Sequence, residues 1–251
     1  MTYNSTTDRV PSSAGASPAP DPAVAEFARR IARPGAVVTW LNHWSVQQAQ
    51  WSALETMTDI GIDGTLLQLM LARCGMDMGR TSADLVLPVL FRDVLEPDQR
   101  IAFIGSAPGV ATRAAERIGG HQTCAFDGYG ELKELRRDPS QLRAWRPDVV
   151  VLGLGAPLQE EVAAELHVAL PEAIVCTAGG WIDQLAANEQ YFPVWVHKYR
   201  LGWAWRIAHE PRRLIGRYTV DAVGFLRRLP RIVSDLRVLP HKADATGFHR
   251  G

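Results

Sequence analysis

Short, fully apolar runs that end in glycine turns and give way to helical spacing recur along this chain of 251 residues and leave few folds open to it. Val149–Leu152 is apolar at every position and ends in Gly153-Leu-Gly155-Ala-Pro157, after which Val162, Leu166 and Leu170 share one helical face. Ile101–Ile104 ends in Gly105-Ser-Ala-Pro-Gly109 before a helical stretch over Val110–Ile118, and Ile174–Thr177 ends in Gly179-Gly180. Strands without polar alternation are buried on both faces, so the pattern predicts an α/β fold, a Rossmann-like parallel sheet with helices on both faces. Ala36–Leu41 reads as a further strand, Ser45–Met57 as a helix capped by Ser45, and Thr65–Cys74 and Ala83–Val94 as two more helices. Ligands of such sheets bind beyond the strand C-termini, where the loops Gly105–Gly109, Gly153–Pro157 and Gly179–Trp181 converge.

Around this core the composition divides the chain. Residues 1–23, rich in Ser, Thr, Ala and Pro, hold too little apolar surface to offset ordering and are expected as a disordered tail. Residues 24–194 form the α/β core. Residues 195–251 are expected as a basic amphipathic appendage: from His197 onward twelve Lys and Arg face four Asp and Glu. Over the whole chain 27 basic and 27 acidic residues cancel, which argues against a protein that coats nucleic acid by overall charge. Cys74, Cys124 and Cys176 lack any ligand or disulfide spacing and are expected as reduced thiols. No charged region followed by an apolar run opens the chain, and no apolar run approaches the roughly 20 residues that span a bilayer. The expectation is an intracellular protein that is not integral to the membrane.

Several residues could carry chemistry, each against a plainer alternative. The two glycine turns bring backbone N–H groups close to an anion, or are simply tight βα connections. They match neither GxGxxG nor the P-loop pattern. Asp63, before Gly64, is a general base at a cleft mouth or a turn residue. Arg80 grips a phosphate or is solvated, and Asp84 caps the helix that follows. Gln159 and Glu160, in a helical first turn, bind sugar hydroxyls or satisfy the helix N-terminus. No DxD pair or His/Asp cluster suits a metal.

From Glu210 to Leu229 the chain reads as a helix with Pro211 at its first position and Pro230 as its stop. Leu214, Tyr218, Ala222, Phe225 and Leu229 form one apolar stripe, flanked by arginines. With Trp195, Trp203 and Trp205 nearby, this suits an anionic membrane surface; the alternative is a helix packed on the core with a solvated basic face.

Taken in order, the motifs resemble the WecG/TagA/CpsF glycosyltransferase family. The resemblance is carried by Asp63-Gly64, Arg80 to Asp84, Phe103-Ile-Gly105 with Pro108-Gly109-Val110, Gly128-Tyr129 and Gly153-Leu-Gly155-Ala-Pro157-Leu-Gln159-Glu160. Gly179-Gly180 with Asp183, Pro193-Val-Trp195, Leu201-Gly-Trp203 with Arg206, and Glu210-Pro211-Arg212-Arg213 with Arg217-Tyr218 continue it, over about Ala36 to Asp221. The resemblance implies an inverting, metal-independent transfer from a UDP-sugar, a substrate rather than a cofactor, to a polyprenyl-diphosphate-linked saccharide. Asp63 would be the base, with Asn42 in the same pocket. Arg80, Gly105, Gly109, Gly155, Gln159, Glu160 and Asp183 would bind substrate, and Arg206, Arg213 and Arg217 would reach the acceptor or donor diphosphate. The partners implied are the two substrates and the inner face of the plasma membrane, with the protein peripheral and cytoplasmic, no nucleic acid, and self-association left open. Three positions depart from the family pattern: Ser82 replaces a glycine, Tyr191 an arginine, and Gly202 a glutamate. A non-catalytic membrane adaptor and a nicotinamide oxidoreductase are the rival readings; the second wants a full GxGxxG that the chain lacks.

Overall fold

The computed structural model describes residues 20–187 and 211–250, with side chains of the last helix described from Thr219 onward. Eight strands form one sheet in the order β4-β3-β5-β6-β1-β2-β8-β7. Six of them, β1 (Val37–Leu41), β2 (Asp59–Ile62), β3 (Arg100–Gly105), β4 (Gln122–Phe126), β5 (Val149–Gly153) and β6 (Ile174–Thr177), are parallel. The other two, β7 (Lys242–Asp244) and β8 (Gly247–His249), form a hairpin whose β8 pairs antiparallel with β2. Every residue of β1 and β5 is buried. Alternate side chains feed two cores: Val37, Leu41, Val150 and Leu152 point to one face, Val38, Trp40, Val149 and Val151 to the other.

The first face is covered by α3 (Trp51–Thr56), α4 (Thr65–Arg73), α7 (Gly130–Arg137), α8 (Ser140–Trp145), α9 (Leu158–Ala169) and the C-terminal helix Pro211–Val238. The second is covered by α1 (Pro22–Ile31), α5 (Ala83–Val89), α6 (Val110–Ala115) and α10 (Trp181–Ala187). Helix α1 starts inside the stretch expected as tail, with Asp21 accepting a bond from the Ala23 N–H (2.9 Å) and Pro22 opening the first turn. The three cysteines are unbridged, and burial pushes the Cys124 thiol up to about 12 and the Cys176 thiol higher still.

Four local expectations are corrected. The helix read over Ser45–Met57 is two short ones, α2 (Ser45–Gln48) and α3, because the backbone turns extended at Ala49 and Gln50. The cap is Asn42 rather than Ser45: Asn42 Oδ1 accepts from the N–H groups of Trp44 (3.0 Å) and Ser45 (2.9 Å). The α5 helix ends at Val89, and Leu90–Val94 follow as a π-helical turn. Pro230 does not stop the C-terminal helix, which runs on to Val238.

The basic helix expected near the C-terminus is present, but the chain around it is not a separate module. Phe225, Ile232, Val233, Leu236 and Phe248 are buried in the first core, and β8 extends the sheet. The boundary expected at residue 194 lies outside the described residues. Phe225 and Leu229 of the anticipated membrane stripe pack inward, Phe225 edge-on to His43 at 6.2 Å. An ion-pair network ties these ends together: the fully buried Asp59 takes bonds from Arg30 Nε (2.9 Å) and Arg33 Nη2 (2.7 Å), and Arg30 also reaches Asp244 (2.9 Å).

Candidate active site

Four adjacent strands, β5, β6, β1 and β2, end at the rim of one cavity of about 610 Å³. Its walls include Asn42 and Trp44 after β1, Asp63 after β2, Gly153 to Ala156 and Gln159 at and after the end of β5, and Thr177 to Trp181 with Asp183 at and after the end of β6. This is where a parallel sheet leaves a crevice, beyond the carboxyl ends of its strands.

Asp63 is placed by backbone and side chain together. Its N–H donates to the Leu41 carbonyl (2.7 Å), which continues the β1–β2 ladder by one residue. Gly64 follows at φ +81°, a left-handed conformation that suits glycine, and turns the chain straight into α4. Asn42, its oxygen committed to capping, points its Nδ2 at Asp63 Oδ2 (3.4 Å). Arg80 Nη2 lies 4.0 Å from Asp63 Oδ1 and forms bonds of 3.2 and 3.1 Å to the two oxygens of Asp84. Asp63 keeps 27% of its side chain exposed.

Beneath the opposite wall lies a polar chain inside an otherwise apolar layer. Thr39 in β1 and Thr177 at the end of β6 share a hydroxyl–hydroxyl bond of 2.9 Å. Thr39 Oγ1 donates to Glu160 Oε1 (2.9 Å), and Gln159 Nε2 donates to the same oxygen (2.8 Å). Glu160 is 1% exposed, and burial pushes its carboxyl above the ordinary glutamate range against the bonds from Gln159 and Thr39. It does not line the cavity; Gln159 does.

Of the residues singled out in the sequence, Asn42, Asp63, Gly155, Gln159 and Asp183 thus line one cavity, and Arg80 touches it through Asp63 and Asp84. Gly105 and Gly109 are not part of its lining. Gly105 serves strand packing, since a Cβ there would stand 2.4 Å from the Gly153 oxygen. Its loop reaches the cavity only through Ser106, whose hydroxyl donates to Asp183 Oδ2 (3.0 Å). Arg206 lies outside the described residues, as do the side chains of Arg213 and Arg217. Sequence reasoning missed Trp44, Thr39 and Thr177. For the threonines a signal existed, a hydroxyl in strands whose other positions are all apolar. Among the described residues no group of three His, Cys, Asp or Glu is arranged to hold a metal ion.

Comparison with known proteins adds a family. The model of the glycosyl transferase WecG/TagA/CpsF family matches residues 17–237. A UDP-Gal:alpha-D-GlcNAc-diphosphoundecaprenol beta-1,4-galactosyltransferase of Shigella boydii is 26% identical over 202 residues, 76% of this chain and 85% of that protein. An N-acetylglucosaminyldiphosphoundecaprenol N-acetyl-beta-D-mannosaminyltransferase of Bacillus spizizenii is 28% identical over 120 residues, 46% of each chain. Its counterpart in Bacillus subtilis is 30% identical over 87 residues, 35% of this chain and 33% of that protein.

Proposed function

Because this chain belongs to the WecG/TagA/CpsF family of glycosyl transferases, we propose that it moves a sugar from a UDP-sugar to a polyprenyl-diphosphate-linked saccharide, with inversion and without a metal ion. That it is a glycosyltransferase rests on the family and on the named relatives. All three relatives carry an N-acetylglucosaminyl-diphosphoundecaprenol acceptor in their names, which supports the lipid-linked acceptor. They differ in the sugar they transfer, galactose or N-acetylmannosamine, so a hexose or N-acetylhexosamine is the class of donor.

The observation that carries the mechanism is the state of the acids lining the cavity. Asp84 has both oxygens on Arg80, and Asp183 accepts from Ser106. Asp63 holds one long bond from Asn42 and a 4.0 Å approach by Arg80, and it keeps an exposed flank. It is the acid best suited to take a proton from an incoming hydroxyl. In the proposed step the acceptor oxygen loses its proton to Asp63 and attacks the anomeric carbon. The bond from that carbon to the UDP oxygen breaks, and the pair of electrons leaves with UDP. One displacement inverts the configuration. Arg80, with the basic segment carrying Arg206, Arg213 and Arg217, is assigned to the negative charge that grows on the diphosphates. Gly155 and Gln159 border the donor pocket in this reading, and Asp183 the sugar.

The acceptor is a membrane lipid, so the enzyme works at a bilayer. Among the described residues no helix is long and apolar enough to cross one. The outer side of the C-terminal helix exposes Val220 (73%), Val223 (50%) and Leu226 (46%) beside the exposed Arg227, Arg228 and Arg231. This mixed surface supports peripheral contact with an anionic leaflet on the inner face. Incubation with a short-chain lipid-linked N-acetylglucosaminyl acceptor and a panel of UDP-sugars, read by mass spectrometry with and without EDTA, tests the reading. A product of added hexose or N-acetylhexosamine mass that survives EDTA is expected. No product with any UDP-sugar would overturn the proposed function, and an EDTA-sensitive product its metal independence.

A further inference from the structure

The buried Glu160 has no part in the step just described, and its position is costly. A carboxylate 1% exposed on an apolar sheet face is disfavoured, and an apolar side chain of the same shape would serve packing better. Two buried oxygens there, Gln159 Oε1 and Glu160 Oε2, have no hydrogen-bond partner. Residues that break the local rules in this way are kept for a site rather than for the fold.

The bonding pattern fixes a polarity. Glu160 Oε1 accepts both from Gln159 Nε2 and from Thr39 Oγ1. It does so as a carboxylate, and equally as an acid with its proton on Oε2. Thr39 has one hydroxyl hydrogen, already given to Glu160, so in the Thr39–Thr177 bond the donor is Thr177. Thr177 therefore keeps only lone pairs for anything that meets it. Gln159 has its nitrogen turned to the carboxylate, which leaves its carbonyl oxygen on the other side of the carboxamide, unpartnered. Both residues line the cavity.

We propose that Glu160 is a positioning residue: it orients Gln159 and, through Thr39, Thr177, and so makes this wall of the cavity an acceptor surface that takes a ligand group bearing O–H or N–H donors. Sugar hydroxyls and the imide N–H of a uracil ring both have that chemistry. The proposal rests on the function above for its ligand, but not for the orientation of Gln159.

Two arms keep the failures apart. In the ligand-free protein, the Gln159 side-chain amide hydrogens, assigned by their loss in Gln159→Ala, should exchange slowly with solvent and shift to ordinary amide positions in Glu160→Met. If they are ordinary already in the wild type, the proposal is overturned whatever the enzyme binds. In the second arm calorimetry measures UDP and UDP-sugar affinity. Glu160→Met should weaken binding about tenfold, the worth of one well-made hydrogen bond. In the Gln159→Ala background the same change should cost less than about threefold, because Glu160 acts through Gln159. Glu160→Gln, which keeps an acceptor oxygen for both bonds, should stay within about threefold of wild type. Equal losses in both backgrounds, or a loss in Glu160→Gln as large as in Glu160→Met, would overturn the proposal. A loss with UDP and UDP-sugar alike assigns the wall to the nucleoside, and a loss with UDP-sugar alone to the transferred sugar. Wild-type protein that binds neither refutes the function above and leaves the first arm to judge Glu160.

Discussion

Phe248 lies three residues from the end of the chain, in the segment expected as a basic amphipathic appendage, yet it is 2% exposed and belongs to the main core. It sits on β8 directly opposite Ile60 of β2, the strand that delivers Asp63 to the cavity. Phe248→Ala should remove about 3–5 kcal/mol, the range for a phenylalanine truncated in a packed interior. For a chain of this size each kcal/mol moves the midpoint by about 2–4 °C. The hairpin sits near the sheet edge, where the cavity can partly collapse, so the lower half of the resulting span is expected, about 6–12 °C by differential scanning calorimetry. Gly247→Ala offers a check that removes no apolar surface. Gly247 has φ +142° and a Cβ there would stand 2.3 Å from the Ile60 oxygen, so the hairpin must shift off β2 and the midpoint should fall by several degrees. Val220→Ala, on the outer side of the C-terminal helix at 73% exposure, should stay within about 2 °C. A Phe248→Ala protein that melts within about 2 °C of wild type would refute the claim that the C-terminal hairpin is part of the core.

Asp63→Asn keeps the shape of the side chain, and Arg80 retains Asp84 as partner, so the variant should fold and bind UDP normally while losing about 10²–10⁴ in turnover; near-normal turnover in a mass-spectrometric assay would remove Asp63 from the mechanism. The buried Glu160 carboxyl has a folded pKa above its unfolded one, so its contribution to stability is full at low pH and is lost as pH rises through the folded value. The midpoint of Glu160→Gln relative to wild type should accordingly rise as pH climbs above the ordinary glutamate range of about 4, and a difference that does not change with pH would show that the group titrates normally. Co-sedimentation with anionic vesicles should decline with added salt and fall further in a Val223→Glu, Leu226→Glu double variant; protein that stays in the supernatant at low salt contradicts the membrane contact.

How much of this could be read from residues alone depends on the range of the interaction behind each feature. The parallel sheet was legible because each buried strand declares itself locally: Val149–Leu152 needs no partner to show that both of its faces are apolar. Asp63 and Gln159 were legible for the same reason, each standing at the end of such a run or just past its glycine turn. The C-terminal hairpin was not, because Lys242–His249 carries no apolar run of its own and becomes a strand pair only by meeting β2, far away in sequence. Charge misled there: the arginines of the C-terminal helix report its solvent side, while Phe225, Ile232 and Leu236 between them report the core. Glu160 falls between these cases. Its place in a helix first turn fits an exposed, dipole-satisfying acid as well as a cleft residue, and neither reading foresees burial. What decides it is Thr39, a hydroxyl at the centre of the strand Val37–Leu41, whose other four positions are apolar. A buried hydroxyl needs partners, and here they are Thr177 and Glu160. Read together, the threonine in the strand and the acid after the glycine turn point to one buried polar contact beneath the cavity.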